Sequence, residues 1–195
     1  MGFLGVDNPA ENAGNMTLLH SVADFVTADL EKRRLIDELR RAGSIDMLTG
    51  MKNRNEYMRK FDELKERTPR TLGVVFVDIN GLKQMNDTHG HEYGDAMIRQ
   101  VAKHIEECAP GDAYRIGGDE FVILWDNIEE EQFFEKSEKL EEEIKNNCDC
   151  SISMGRVWRE GDIHIQEQVK QADALMYEAK RAHYQKQNYD RRGRR

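Results

Sequence analysis

No apolar run in this chain approaches the length of a membrane span, and no signal peptide is visible. The fragment is therefore expected to be cytoplasmic and to make no membrane contact. Cysteine is scarce: Cys108, Cys148 and Cys150 only. An odd number suggests no disulfide framework and fits a reducing compartment. Cys148 and Cys150 could chelate a metal. Two residues apart on a strand they would simply share a face, and a closed zinc site takes four ligands, so a structural role is favoured. Excess positive charge is also missing. The net charge is −8, which argues against a nucleic-acid partner. The exception is the basic stretch Arg191-Arg192-Gly193-Arg194-Arg195, and residues 186–195 are expected to form a disordered tail. What is present suffices for a folded domain. Hydrophobic residues make up 38% and charged ones 34% of 195 residues, which suggests one domain plus an appendage.

The most informative run is Tyr114-Arg115-Ile116-Gly117-Gly118-Asp119-Glu120-Phe121. Its flanks, residues 113–116 and 121–125, are apolar and strand-prone. Gly-Gly-Asp between them predicts a hairpin turn, since glycine tolerates positive φ. Two carboxylates would then stand beside backbone that can be approached closely. Such a turn suits a metal-bound polyphosphate: the acids hold the cation and bare N–H groups meet the anion. The plainer alternative is an ordinary hairpin with a solvated acidic tip.

Residues 1–15 are rich in glycine, asparagine and turn signals, and Gly2 to Pro9 reads like the last strand and exit loop of a larger domain. Residues 16–44 read as a helix ended by Gly43-Ser44. Leu18, Val22, Phe25, Ile36 and Leu39 fall near a/d spacing, interrupted by Asp29 and Lys32, so a short, broken coiled coil is favoured. Helices are expected over about 53–67, 82–87, 95–107, 129–145 and 165–185, and strands over 71–77 and 150–157. The acidic runs at 129–131 and 141–143 read as a helix start and a solvated face. Helices and strands mixed around a hairpin predict an α/β sandwich, of α+β type, with a partly antiparallel sheet. Asp78 ends a strongly apolar strand, where its carboxylate would emerge at the sheet rim. With the hairpin turn on a neighbouring strand, Asp78, Asp119 and Glu120 would converge.

Four further motifs accompany the octet, in order. They are Asp46-Met47-Leu48-Thr49-Gly50 with Asn53-Arg54, then Asp78-Ile79-Asn80-Gly81-Leu82-Lys83 with Asn86-Asp87. Gly90-His91-Glu92-Tyr93-Gly94-Asp95 follows, and last Ala172-Asp173-Ala174-Leu175-Met176-Tyr177-Glu178-Ala179-Lys180. Together they span about residues 45–184, and in this order they resemble the GGDEF family, the diguanylate cyclases. The resemblance implies a ferredoxin-like palm over residues 45–185 with a largely antiparallel central sheet. It also implies a signalling helix before that domain and a GAF-type sensor upstream. The implied bacterial signalling reaction condenses two GTP into cyclic di-GMP and two pyrophosphates, with two domains facing each other as a homodimer.

On that resemblance Asp78, the Ile79 carbonyl, Asp119 and Glu120 would bind two Mg²⁺ (or Mn²⁺) ions per active site. Such cations bind through one or two carboxylates plus substrate phosphates. Asp119 and Glu120 would be the catalytic acids, with Asp119 helping to deprotonate the ribose 3′-OH. Gly117 and Gly118 would leave room for the phosphates, and Lys83 and Lys180 would touch them as point charges. Guanine needs an acceptor for its N1–H and amino group and a donor for O6 or N3. Asp95 and Asn86 supply these types and match the guanine-reading positions. Plainer readings exist: Asp95 as a helix N-cap, Asn86 as a turn residue, both lysines as solvated surface. His89 and His91 are read as loop residues; Asp173, Met176 and Tyr177 as helix packing and capping.

The chain departs from the pattern at three places. Cys108 and Gly111 stand where many members carry an R-x-x-D product-inhibition site, so no feedback through that site is expected. Tyr184 replaces an arginine that often contacts phosphate. Asn80 replaces a second aspartate. A silent GGDEF module that binds GTP and regulates a neighbour is the first alternative. A non-enzymatic dimerisation domain and another palm-type nucleotidyl cyclase follow.

Overall fold

The computed structural model describes residues 16–193, with side chains outside 16–19, 37–42 and 187–193. Expectations for residues 1–15 lie outside the described residues. The chain divides into two compact units, residues 1–43 and 44–195. In the first, α1 runs over Met16–Ala42. Val22, Phe25 and Ile36 are exposed on it, while Asp29 pairs with Arg33 at 2.8 Å.

The second unit holds a five-stranded mixed sheet in the order β1-β3-β4-β2-β5. Its strands are β1 (Lys52–Asn53), β2 (Thr71–Ile79), β3 (Ala113–Arg115), β4 (Glu120–Asp126) and β5 (Ile152–Glu160). The helices are α2 (Arg54–Glu66), α3 (Leu82–His89), α4 (His91–Cys108), α5 (Glu130–Asn147) and α6 (Ile165–Gly193). Only β1–β3 is parallel; the other pairs are antiparallel.

The apolar pattern explains the layers. All nine residues of β2 are buried, because β2 is central and both its faces are covered. Val75, Val77 and Ile79 pack with α4 and α5 through Val101, Ile105, Phe133 and Ile144. Leu72, Val74 and Phe76 pack the other way, with Tyr57 and Phe61 of α2 and Met176 of α6. A strand buried on both faces reads as a continuous apolar run. The edge strand β5 instead alternates along its first seven residues. There α6 presses directly on the strand: a Cβ at Gly155 would overlap the Ala172 carbonyl oxygen.

Five expectations change. α4 begins at His91, four residues before Asp95, because Gly90 at φ 90° makes the break and Gly94 sits inside the helix. Asp95 is therefore no N-cap, and Asn86 lies within α3 rather than in a turn. His89 and His91 likewise end and begin helices instead of lying in a loop. Cys148 caps α5 and Cys150 precedes β5, so the two thiols do not share a strand face. α6 continues to Gly193 through most of the stretch expected as a tail. No helix among the described residues is long and apolar enough to cross a membrane.

Candidate active site

Strand register brings the acids together. Asp78 lies opposite Glu120 of β4 on one side and Ser153 of β5 on the other. The Ile79 N–H donates to the Asp119 carbonyl at 3.1 Å, which ties the hairpin turn to the end of β2. Directly opposed residues share a sheet face, so the Asp78 and Glu120 carboxyl groups emerge on the same face with Asp119 beside them. Ile79 buries its side chain in the core and offers the site only its backbone.

Asp78 is 3% exposed. Its Oδ2 accepts from Lys180 Nζ at 2.6 Å, while its Oδ1 is buried without a hydrogen-bond partner. Burial first, then the charges of Asp119 and Glu120, push the Asp78 carboxyl up to about 6. The hydrogen bond and charge of Lys180 only partly oppose this. Burial pulls the Lys180 ammonium down, but the Asp78 bond and charge outweigh it and raise it above the usual lysine range. Lys180 is thus a bonded group and no solvated surface lysine, whereas Lys83 is exposed on the first turn of α3.

Among the described residues no three histidine, cysteine, aspartate or glutamate side chains form a ready-made metal cage. The donor set nonetheless fits a divalent cation. It offers one orphaned buried carboxylate oxygen with two further carboxylates beside it, and Mg²⁺ needs only one or two carboxylates from protein when phosphates and water complete its shell.

The hairpin turn is built differently from the sequence expectation. Neither Gly117 nor Gly118 has positive φ. At Gly117 a Cβ would lie 2.5 Å from Glu120 Oε2, so a larger residue there would displace the Glu120 carboxylate. At Gly118 a Cβ would meet nothing, and the residue is exposed. The turn is held by Arg115, which sequence reasoning passed over. Its guanidinium donates to the Gly117 carbonyl at 3.2 Å, the Gly118 carbonyl at 2.7 Å and Asp46 Oδ1 at 2.7 Å. Asp46 also accepts from the Thr49 N–H and hydroxyl. Burial alone would raise the Asp46 carboxyl, but Arg115 and Thr49 hold it below the usual range. The only sequence hint was an arginine two residues ahead of a glycine pair.

At the α3–α4 junction, Asn86 Oδ1 is buried and unpartnered. Gly94 makes room for it, since a Cβ there would overlap that oxygen. Asp95 follows Gly94 on α4 and is half-buried. An unpaired buried amide oxygen is costly unless a ligand supplies a donor. Asn80 is spent otherwise. Its Oδ1 accepts from Ser153 Oγ at 2.7 Å, its Nδ2 donates to Ser151 Oγ at 3.2 Å, and its N–H donates to the Ser151 carbonyl at 2.8 Å. An aspartate could not make the Nδ2 bond, so asparagine fits a fastening role between β2 and β5. A separate cavity of about 340 Å³ between α5, β5 and α6 is lined by Glu141, Arg156, His183 and Lys186 and shares Ser153 with this region. Of the acids, Asp119 and Glu120 are partly exposed and Asp78 is buried.

Residues 43–186 match the family described as diguanylate cyclase, GGDEF domain. The cyclic di-GMP phosphodiesterase PdeR of Escherichia coli is 28% identical over 164 residues, covering 77% of this chain and 24% of PdeR. An uncharacterized membrane protein of Staphylococcus saprophyticus is 33% identical over 123 residues, covering 60% of this chain and 33% of that protein. The chain thus spans about a quarter to a third of the length of these two relatives. Among solved structures, the GGDEF domain of DgcB from Caulobacter crescentus, in complex with c-di-GMP, is similar at TM-score 0.66 and 26% identity. That match covers 72% of this chain and 89% of that one. The DgcB structure that includes its coiled coil matches at the same TM-score and identity over 86% of this chain and 96% of that one. With the family match over most of its length and the fold of solved GGDEF domains, this chain belongs to the GGDEF family.

Proposed function

We propose that residues 45–185 are a diguanylate cyclase that condenses two GTP into cyclic di-GMP and two pyrophosphates. The observation that carries this reading is the buried, unpartnered Asp78 Oδ1 beside Glu120 and Asp119. A carboxylate so placed calls for a cation, and Lys180 satisfies only its other oxygen.

In this reading Asp78, the Ile79 carbonyl, Asp119 and Glu120 hold Mg²⁺ or Mn²⁺, two per active site. When bound, such cations make the ribose 3′-hydroxyl more acidic and neutralise charge on the leaving pyrophosphate. Asp119 accepts the 3′-hydroxyl proton. Asp95 accepts from guanine N1–H and the amino group, and Asn86 reads the neighbouring edge. Lys180 and Lys83 attract the triphosphate, and Gly117 keeps side-chain bulk away from it. Each 3′-oxygen attacks the α-phosphorus of the GTP on the facing domain, and each pyrophosphate departs, so a homodimer is the working unit. Positioning and charge neutralisation supply most of the rate.

The similarity to the DgcB structure containing a coiled coil supports reading α1 as a signalling helix from an upstream sensory module. A GTP-binding module without turnover is the second reading, favoured by Lys180 resting on Asp78. Incubation with GTP and Mg²⁺, resolved by chromatography, decides between them. Cyclic di-GMP from the wild type and none from Glu120→Gln supports the cyclase; retained GTP without product supports the silent module.

A further inference from the structure

Cys148 and Cys150 meet where α5 hands over to β5. Cys148 is the C-cap of α5, in extended backbone at φ −115° and ψ 146°. The chain then bends at residues 149 and 150, and β5 begins at Ile152. With one residue between them, two Cα atoms lie at most about 7 Å apart, and a bend shortens that span. A disulfide bridges Cα separations of roughly 4.4–6.8 Å. The thiols themselves are hydrogen-bond partners. Both pack against the core that α4, α5 and β2 build, yet each remains partly exposed. A small oxidant can therefore reach them.

The two thiols are unequal. Burial first, then the charges of Cys148 and Asp149 and the bond to Cys148, push the Cys150 thiol up to about 12. Burial and Asp149 also raise the Cys148 thiol, but there the hydrogen bond from Cys150 works in the opposite direction. Cys148 is thus the first of the pair to ionise, and Cys150 is the proton donor that steadies it. A thiolate attacks, and a neighbouring thiol resolves the oxidised sulfur into a disulfide. Cys108, at the end of α4, instead bonds the Lys136 carbonyl at 3.4 Å.

The segment after the pair is tied to the acidic site. Ser151 accepts at its carbonyl from the Asn80 N–H at 2.8 Å and at its Oγ from Asn80 Nδ2 at 3.2 Å. Asn80 directly follows Asp78 and Ile79, the last residues of β2. Covalent closure at 148 and 150 repositions the backbone next to Ser151 and so pulls on this fastening.

We propose that Cys148 and Cys150 form a reversible oxidation site, which closes to a disulfide in response to a peroxide and loosens the Asn80–Ser151 fastening as it closes. The Cys148 thiolate attacks one peroxide oxygen and the O–O bond breaks. The sulfur becomes a sulfenic acid, and the departing hydroxide takes up the proton that Cys148 released. The Cys150 sulfur then attacks the sulfenic sulfur, and water leaves with the sulfenic oxygen and the Cys150 proton. Two thiols are oxidised by two electrons, and the peroxide is reduced to two waters. A small dithiol reverses the bridge by exchange. A disulfide that forms only under oxidant is the usual kind in a reducing compartment. The site goes beyond the function proposed above and does not depend on nucleotide turnover.

The test treats the full chain with hydrogen peroxide, blocks the remaining thiols with iodoacetamide and sequences the cysteine peptides by mass spectrometry. Cys148 and Cys150 should be unalkylated and together lighter by two hydrogens, while Cys108 stays alkylated. Cys150→Ser should stop at a sulfenic acid on Cys148 that dimedone captures. Cys148→Ser should leave Cys150 open to alkylation. Amide exchange at Asn80, followed by NMR, should quicken roughly tenfold on oxidation, the effect of one lost hydrogen bond. Dithiothreitol should restore it. Full alkylation of both cysteines after peroxide, sulfinic acid without the bridge, or disulfides between chains would overturn the oxidation site. A bridge that leaves exchange at Asn80 unchanged would overturn the coupling to β2.

Discussion

Replacing Asp78 by asparagine in the metal-free chain should change the pH dependence of stability in a direction opposite to that of most carboxylates. The unfolded carboxyl ionises near 3.8 and the folded one near 6. Below the lower value both states are protonated and Asp78 contributes nothing. Between the two, the folded chain binds more protons than the unfolded one, so stability falls as pH rises, at about 1.4 kcal/mol per pH unit. Above the upper value the whole penalty is present, on the order of 3 kcal/mol. For a domain of this size, that corresponds to roughly 6–12 °C in melting temperature. Asparagine cannot titrate, so the wild type should lose about that much relative to Asp78→Asn between pH 4 and pH 7. Lys180 stays charged throughout, so losing its partner shifts the variant by a constant and leaves the slope untouched. Thermal melts in EDTA across this range measure the difference directly. A flat difference, or a wild type that gains on the variant with rising pH, would refute the argument.

Gly94→Ala should push a methyl group into Asn86 Oδ1, lowering stability by about 1–3 kcal/mol as overpacking does and weakening GTP binding; melting and titration check both. Arg115→Ala should cost about 2–3 kcal/mol, since it removes the charge partner of Asp46 and the donor to two turn carbonyls. Arg115→Lys should recover little of this, because one ammonium cannot span three acceptors. Denaturant melts of the two variants give the answer. Cyclic di-GMP should not depress turnover through the positions of Cys108 and Gly111, and tight inhibitory binding that maps to those residues would count against this.

Much of the architecture could be read before any coordinates. The run from Thr71 to Val77 reads as a buried strand because both its faces are covered, and α2, α3 and α5 begin within a residue or two of their apolar periodicity. The start of α4 was missed because two glycines compete for the break. Only Gly90 has the positive φ that ends a helix, while Gly94 is small for the sake of Asn86. The acids were recognisable by type, but their meeting depends on β2–β4 register. Pairing of Lys180 with Asp78 joins positions 102 residues apart, a distance over which no local pattern carries information. Arg115 was hidden because it acts on two carbonyls of its own turn and on Asp46, 69 residues away, and backbone acceptors have no sequence signature.

The most direct measurement is Mn²⁺ retention by electron paramagnetic resonance, in the presence of a GTP analogue with a methylene between its α and β phosphorus atoms. The wild type should sequester the ion, and Asp78→Asn and Glu120→Gln should each release most of it. Undiminished Mn²⁺ binding in both variants would contradict the account.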